Sequence, residues 1–185
     1  MDENFNPWQI LSSQEKYDNK WINVTEHQVI NPSGNPGIYG AVRYKNQAVG
    51  VIPLDDEGNT WLVGQYRFML NQYTWEIPEG GAPFGEDPQL GTARELEEET
   101  GLRAERYTKI VEMHLSNSVG DEFATVYLAQ GLSQHTAMPE DTEQLQVRRV
   151  PFEEVYQQVI AGKITDSMTV AAVLRLKIMM LEGKV

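Results

Sequence analysis

The sequence predicts an α/β fold: an α/β/α sandwich built on a mixed β-sheet, with an antiparallel strand region ahead of it. Three observations predict it. Short extended segments rich in β-branched residues recur between Trp21 and Val150. One helical segment interrupts that series and two more close the chain, each bounded by helix-start and helix-stop residues. Both kinds of segment interleave within 185 residues, which calls for layers in which helices cover a sheet.

Residues 1 to 12 read as a loose start. Trp21 to Ile30 alternates and is β-branched, Asn31 to Gly37 turns on two prolines and two glycines, and Tyr39 to Tyr44 is extended again. Val49 to Leu54 and Thr60 to Gln65 flank Asp55-Asp56-Glu57-Gly58-Asn59, a loop that suits a hairpin. Tyr73 to Ile77 is a further short strand. Val111 to Leu115, Ala124 to Ala129 and Gln144 to Val150 continue the series beyond the first helix. In Pro151 to Ala161 the residues Phe152, Val155, Tyr156, Val159 and Ile160 keep helical spacing, with Pro151 suited to the first turn and Gly162 to the stop. The last helix, Met168 to Leu181, places Val170, Val173, Leu174, Ile178 and Leu181 on one stripe. The expected division is an N-terminal β arm at 1–45, suited to dimerisation, and a main domain at 46–185.

With 41% hydrophobic residues the chain can bury a real core. The absence of cysteine excludes disulfides, thiolate nucleophiles and cysteine-based metal sites, and His27, His114 and His135 are scattered. A net charge of −12 disfavours a nucleic-acid partner. No apolar run approaches the ~18 residues of a membrane span, and the N-terminus lacks a basic-then-apolar signal, so a soluble, cytoplasmic protein is expected. An acidic protein that handles an anionic substrate needs cations.

Asp87 can cap a helix that begins at Pro88 and ends at Gly101 in the left-handed conformation. Leu90, Ala93 and Leu96 centre on one side of it, Glu95, Glu98 and Glu99 on roughly the opposite side. Carboxylates spaced i, i+3, i+4 repel one another unless compensated, and a hard divalent cation, Mg²⁺ or Mn²⁺, compensates them. Acidic runs are commonly just solvated faces. Here Glu79 to Gly85 places three glycines in front of the helix, where backbone can approach a ligand or metal closely.

Read from Gly80, the order Gly80, five residues, Glu86, seven residues, Arg94-Glu95-Leu96-Glu97-Glu98-Glu99-Thr100-Gly101-Leu102 resembles the Nudix box at every defining position. The resemblance implies the Nudix fold and a Mg²⁺-dependent hydrolase of diphosphate bridges. It implies Glu95, Glu98 and Glu99 as metal ligands, the carbonyl of Glu79 as a further one, and Arg94 as the residue that orients the glutamates. Glu86 is similar to the glutamate that ties loop to helix. For the general base it implies a later loop carboxylate: Glu143, with Glu140 and Asp141 as competitors. Glu122 is another carboxylate placed to reach the metals.

Gln65-Tyr66-Arg67, Trp75-Glu76-Ile77-Pro78-Glu79-Gly80 and Gly162-Lys163-Ile164-Thr165-Asp166 resemble the branch that acts on ADP-ribose and nucleoside diphosphate sugars. Arg67 is then a phosphate or ribose contact, and Glu76, Gly80 and Gly81 complete the implied substrate-binding set. Two marks of subfamilies are incomplete. Asn117 or Ser118 stands where ADP-ribose pyrophosphatases have proline, and Met168 stands where some nucleotide-sugar hydrolases have lysine. The resemblance further implies a homodimer whose N-terminal strands cross to the partner, with Trp21, Tyr39 or Tyr44 as candidates to stack on a base. Other expectations are a Nudix hydrolase of dinucleoside polyphosphates, nucleoside triphosphates or a coenzyme pyrophosphate, and a nucleotide-binding sensor without turnover.

Overall fold

A computed structural model describes residues 5–137 and 144–185. In chain order the elements are β1 (Gln9–Asp18), β2 (Ile22–Ile30), β3 (Pro36–Tyr44), β4 (Asn46–Pro53), β5 (Asn59–Arg67), β6 (Gln72–Glu76), β7 (Glu79–Pro83), α1 (Pro88–Thr100), β8 (Leu102–His114), β9 (Phe123–Gln134), β10 (Gln146–Pro151), α2 (Phe152–Ile160) and α3 (Ser167–Leu181). They form two compact units, Met1–Asn46 with His114–Glu122, and Gln47–Met113 with Phe123–Val185.

The first unit is an antiparallel sheet in the order β1-β2-β3. Strand β1 begins inside the stretch read as a loose start. All of its residues are exposed, so no alternation of buried and solvated positions marks it in the sequence. The Trp8 ring meets Tyr39 edge-on at 5.3 Å between centroids. The segment 114–122 is strapped to β3: Val42 N–H donates to Val119 O at 2.8 Å, Tyr39 Oη to Ser118 O at 2.6 Å, and Tyr44 N–H to Asp121 Oδ1 at 2.9 Å.

The second unit holds two sheets, β10-β5-β6 and β7-β4-β9-β8. The turn Asp55 to Asn59 forms, with Asp55 N–H donating to Asn59 O and Gly58 at φ 79. It does not make the expected hairpin. Strand β4 runs parallel to β9, while β5 pairs with β6 and β10, so the two strands leave the turn into different sheets.

Val49–Pro53 and Ala124–Ala129 are buried along their whole lengths, as in strands covered on both faces. Val51 packs with Leu96 of α1, in a cluster with Leu102 and Ala129. Its neighbour Gly50 faces Met168 of α3: a β-carbon there would stand 3.3 Å from Met168 Cε. Successive strand residues point to opposite faces, so α1 and α3 lie on opposite sides of the sheet. The predicted α/β/α layering with a mixed sheet is what this unit has.

Two helix faces differ from expectation. In α1 the buried residues are Gly91, Thr92, Leu96, Glu99 and Thr100, whereas Leu90 is 63% exposed. The helix lies so close to β7 that a β-carbon on Gly91 would touch Ala82, and that approach turns Leu90 outward and Glu99 inward. In α3 the buried set is Met168, Thr169, Ala172, Val173, Leu176 and Met179, while Leu174, Ile178 and Leu181 are exposed. This helix is apolar nearly all round, so its pattern admits more than one stripe. Thr169 fixes the rotation, accepting from Ile77 N–H at 3.0 Å and donating to Asp166 at 2.8 Å.

Candidate active site

The first residues of the box lie in a strand, β7, rather than a loop, and α1 crosses it. Asp87 caps α1 by accepting from Gln89 N–H at 2.9 Å, and Gly101 ends it at φ 70 with its N–H on Glu97 O. Glu95 reaches across to Gly80, where a β-carbon would lie 2.5 Å from each of its carboxylate oxygens. Only a glycine leaves room for that carboxylate. Glu99, 2% exposed, accepts from Glu79 N–H at 3.0 Å.

Arg94 binds the cluster together. Its Nη1 donates to Glu95 at 2.8 Å and to Glu98 at 3.1 Å, and its Nη2 donates to Gly81 O at 2.7 Å. Burial pulls this guanidinium down, but Glu95 and then Glu98 more than offset it and hold the group charged. Glu97 points elsewhere, to Arg103 at 2.6 Å.

A second cluster adjoins the first through Glu79. Its Oε1 accepts from Arg67 Nη2 at 2.6 Å, while its Oε2 is buried without a hydrogen-bond partner among the described residues. Burial first, then Asp166 and Glu76, push the Glu79 carboxyl well above the ordinary glutamate range, with Arg67 opposing them. Glu76, 2% exposed, takes Arg67 Nε and Nη2 and also Thr74 Oγ1 at 2.6 Å. A buried carboxylate so occupied holds Arg67 in place. Asp166 stands near Arg67 and caps α3 through Thr169 N–H at 2.7 Å. An aspartate just before an apolar helical run is a signal for a cap; nothing in the sequence joins it to Arg67.

Among the described residues no three acidic or imidazole side chains converge closely enough to hold a metal ion. The donors nevertheless fit a hard divalent cation: all are oxygen, they gather along one edge of α1 and β7, and one buried Glu79 oxygen lacks a partner. Glu86 Oε2 is likewise buried without a partner among the described residues, and its main-chain oxygen accepts from Gln47 at 3.0 Å. Glu122 belongs to the first unit, where burial raises its carboxyl and the Tyr44 hydroxyl opposes that rise. Glu140, Asp141 and Glu143 lie outside the described residues.

Residues 44–172 match the family model of the NUDIX domain. The chain belongs to the Nudix family. It is therefore a Nudix hydrolase, acting on phosphoric anhydride bonds. A second family model, the nucleoside diphosphate sugar hydrolase N-terminal domain, matches residues 8–42 of this Nudix chain. The ADP-ribose pyrophosphatase of Mycobacterium tuberculosis is 32% identical over 171 residues, covering 90% of this chain and 82% of that one. The ADP-ribose pyrophosphatase of Bacillus subtilis is 32% identical over 166 residues, covering 88% and 89%. A crystal structure described as an ADP compounds hydrolase superposes over 100% of both chains with a TM-score of 0.85 at 19% identity, which establishes the shared fold. Among the described residues no helix of this Nudix hydrolase is long and apolar enough to cross a membrane.

Proposed function

We propose that this Nudix hydrolase uses Mg²⁺, or Mn²⁺ in its place, to cleave the diphosphate bridge of ADP-ribose or a related nucleoside diphosphate sugar, giving a nucleoside monophosphate and a sugar phosphate. The observation that carries the reading is the carboxylate edge of α1 laid on β7, with Glu95 over Gly80 and Glu99 on the Glu79 amide. The substrate class is supported by the match of residues 8–42 and by the names of two relatives that align along most of the chain.

Glu95, Glu98 and Glu99, with the carbonyl of Glu79, would hold the cation. Bound there, it would supply neutralisation of phosphate charge and activation of water. Arg94 fixes the two glutamates nearest it and ties them to the Gly81 carbonyl, so the donor set is ordered before substrate arrives. Gly80 and Gly81 present bare backbone to the diphosphate. Glu143 takes the proton of the attacking water, with Glu140 and Asp141 as its competitors. Arg67, anchored by Glu76, is placed to meet a phosphate or ribose oxygen. The reading includes a cytoplasmic homodimer whose N-terminal strands cross to the partner.

The test is a product-resolved screen with Mg²⁺ and Mn²⁺ across ADP-ribose, nucleotide sugars, dinucleotides and triphosphates. AMP with ribose 5-phosphate is the expected outcome. Preferred release of pyrophosphate from a triphosphate would move the substrate class, and absence of turnover throughout would overturn the catalytic reading.

A further inference from the structure

A cavity of about 520 Å³ lies within the second unit, at Arg67 and the start of α3. Arg67, Thr74 and Glu76 line it from the sheet, and Thr165, Asp166 and Ser167 from the start of α3. Arg67 joins it to the box, since the same guanidinium donates to Glu79, whose amide rests on Glu99.

The remaining wall is unusual for a surface turn. Phe68 and Met69 are each 88% exposed, and Leu70 follows them. The turn is nevertheless well held: Leu70 and Asn71 N–H both donate to Arg67 O, and Tyr66 Oη donates to Asn71 Oδ1 at 2.6 Å. Asn71 itself adopts φ 53, the left-handed conformation that asparagine takes more readily than other residues with a β-carbon and that closes the turn. Three adjacent apolar side chains are thus held out to water at the mouth of a cavity whose other wall is polar.

Charge narrows the ligand. Arg67 is already matched by Glu76 and Glu79, and Asp166 adds a further negative charge. Beyond the oxygen that Arg67 itself can meet, the cavity therefore disfavours a further anionic group. A neutral ring with hydroxyl donors on one side and C–H groups on the other suits it. Hydroxyls would reach Asp166, which accepts from the Thr169 amide and hydroxyl through Oδ2, together with Thr165 and Ser167, while the C–H face would cover Phe68 and Met69.

We propose that this cavity receives the glycosyl end of the substrate, so that the Phe68–Met69 turn and Asp166 select nucleoside diphosphates carrying a sugar over those without one. The inference rests on the function proposed above and names the part of the substrate that lies here.

Phe68 and Met69 are exposed, so the double variant F68S/M69S tests the site without opening the core. Its kcat/KM for ADP-ribose is expected to fall about tenfold or more, mainly through KM, while that for the β-methyl ester of ADP is unchanged. Equal losses on both substrates, or none, would remove the inference and leave the proposed function standing. A parallel reading uses methyl-labelled methionine, with the Met69 signal assigned by its loss in M69L. Ribose 5-phosphate is expected to shift it and AMP is not. A shift with AMP alone would place the nucleoside end here and overturn the proposal. If the wild type hydrolysed no diphosphate at all, the function would fall, and a Met69 shift with ribose 5-phosphate would still support the cavity as a sugar site. Sedimentation of F68S/M69S should match wild type; a change of oligomeric mass would make the turn a subunit contact and overturn the inference.

Discussion

At Gly80 the missing side chain is what lets the Glu95 carboxylate lie against the β7 backbone. Gly80→Ala forces that carboxylate aside, and turnover of ADP-ribose is expected to fall at least ~10²-fold, with a modest stability loss of about 1–3 kcal/mol from the crowding. Steady-state kinetics beside urea unfolding checks both, and wild-type turnover in the alanine variant would show that Glu95 has no need of that position. Glu98→Gln keeps the shape but replaces a charged ligand with an amide, so an equal loss of at least ~10²-fold is expected with the fold intact. Asp55 gives a residue-scale prediction about pH. Burial raises its carboxyl, but Asn59 and Arg149 outweigh burial and hold it below the ordinary aspartate value of 3.8. A folded pKa below the unfolded one contributes stability in full above the unfolded value, and that contribution is lost as pH falls through the folded one. Arg149 is about half exposed, so solvent screens the pair and its contribution is small. Asp55→Asn should therefore lower stability slightly at pH 7 and progressively less below the ordinary aspartate value, as read by urea unfolding at each pH.

Among the elements, α3 shows how one hydroxyl sets a helix. Thr169 is fully buried, takes the Ile77 amide and gives its own proton to Asp166, so the N-terminus of α3 is pinned to the link between β6 and β7. Thr169→Val keeps the volume but leaves a buried N–H without an acceptor, and a loss of about 1–3 kcal/mol is expected in urea unfolding, with Thr169→Ser recovering part of it. An unchanged midpoint would mean that apolar packing alone sets the rotation of α3. The same contacts explain what could be read in the sequence. The caps of α1 were legible because Asp87, Pro88 and Gly101 each act within a turn of their own position. The strands β4 and β9 were legible from their β-branched runs. The hairpin at Asp55 was not, because the turn is local while the choice of sheet for β5 depends on β6 and β10. The exposed face of α3 was misread because Leu174 and Ile178 are as apolar as Leu176 and Met179, and only the bonds of Thr169 tell the two stripes apart. In the site, the spacing of Gly80, Arg94 and the glutamates is visible in one dimension, whereas the pairing of Arg67 with Glu76 and Glu79 arises only when β5, β6 and β7 fold together.

The whole molecule carries a net charge of −12, and part of that excess is set along the edge of α1 and β7, where Glu95, Glu98, Glu99 and Glu79 lie. Arg94 and Arg67 supply the nearby positive charge, and each already serves two carboxylates. A divalent cation bound by this edge would therefore stabilise the folded state beyond its role in turnover. Because the unfolded chain has no such edge, the gain follows mass action: at a concentration 100 times its Kd, about 2.7 kcal/mol. For a chain of this length that corresponds to a rise in Tm of about 5–10 °C. Simple screening of an acidic surface also raises Tm, so the comparison must hold ionic strength constant, with Mg²⁺ in one arm and EDTA with added sodium chloride in the other. The expected result is a rise that Mg²⁺ produces and sodium does not, and that Glu98→Gln largely abolishes while an exposed acid such as Glu154→Gln leaves it intact. Equal shifts in wild type and Glu98→Gln would show that the ion acts on the surface as a whole, and that the carboxylates of α1 do not hold it.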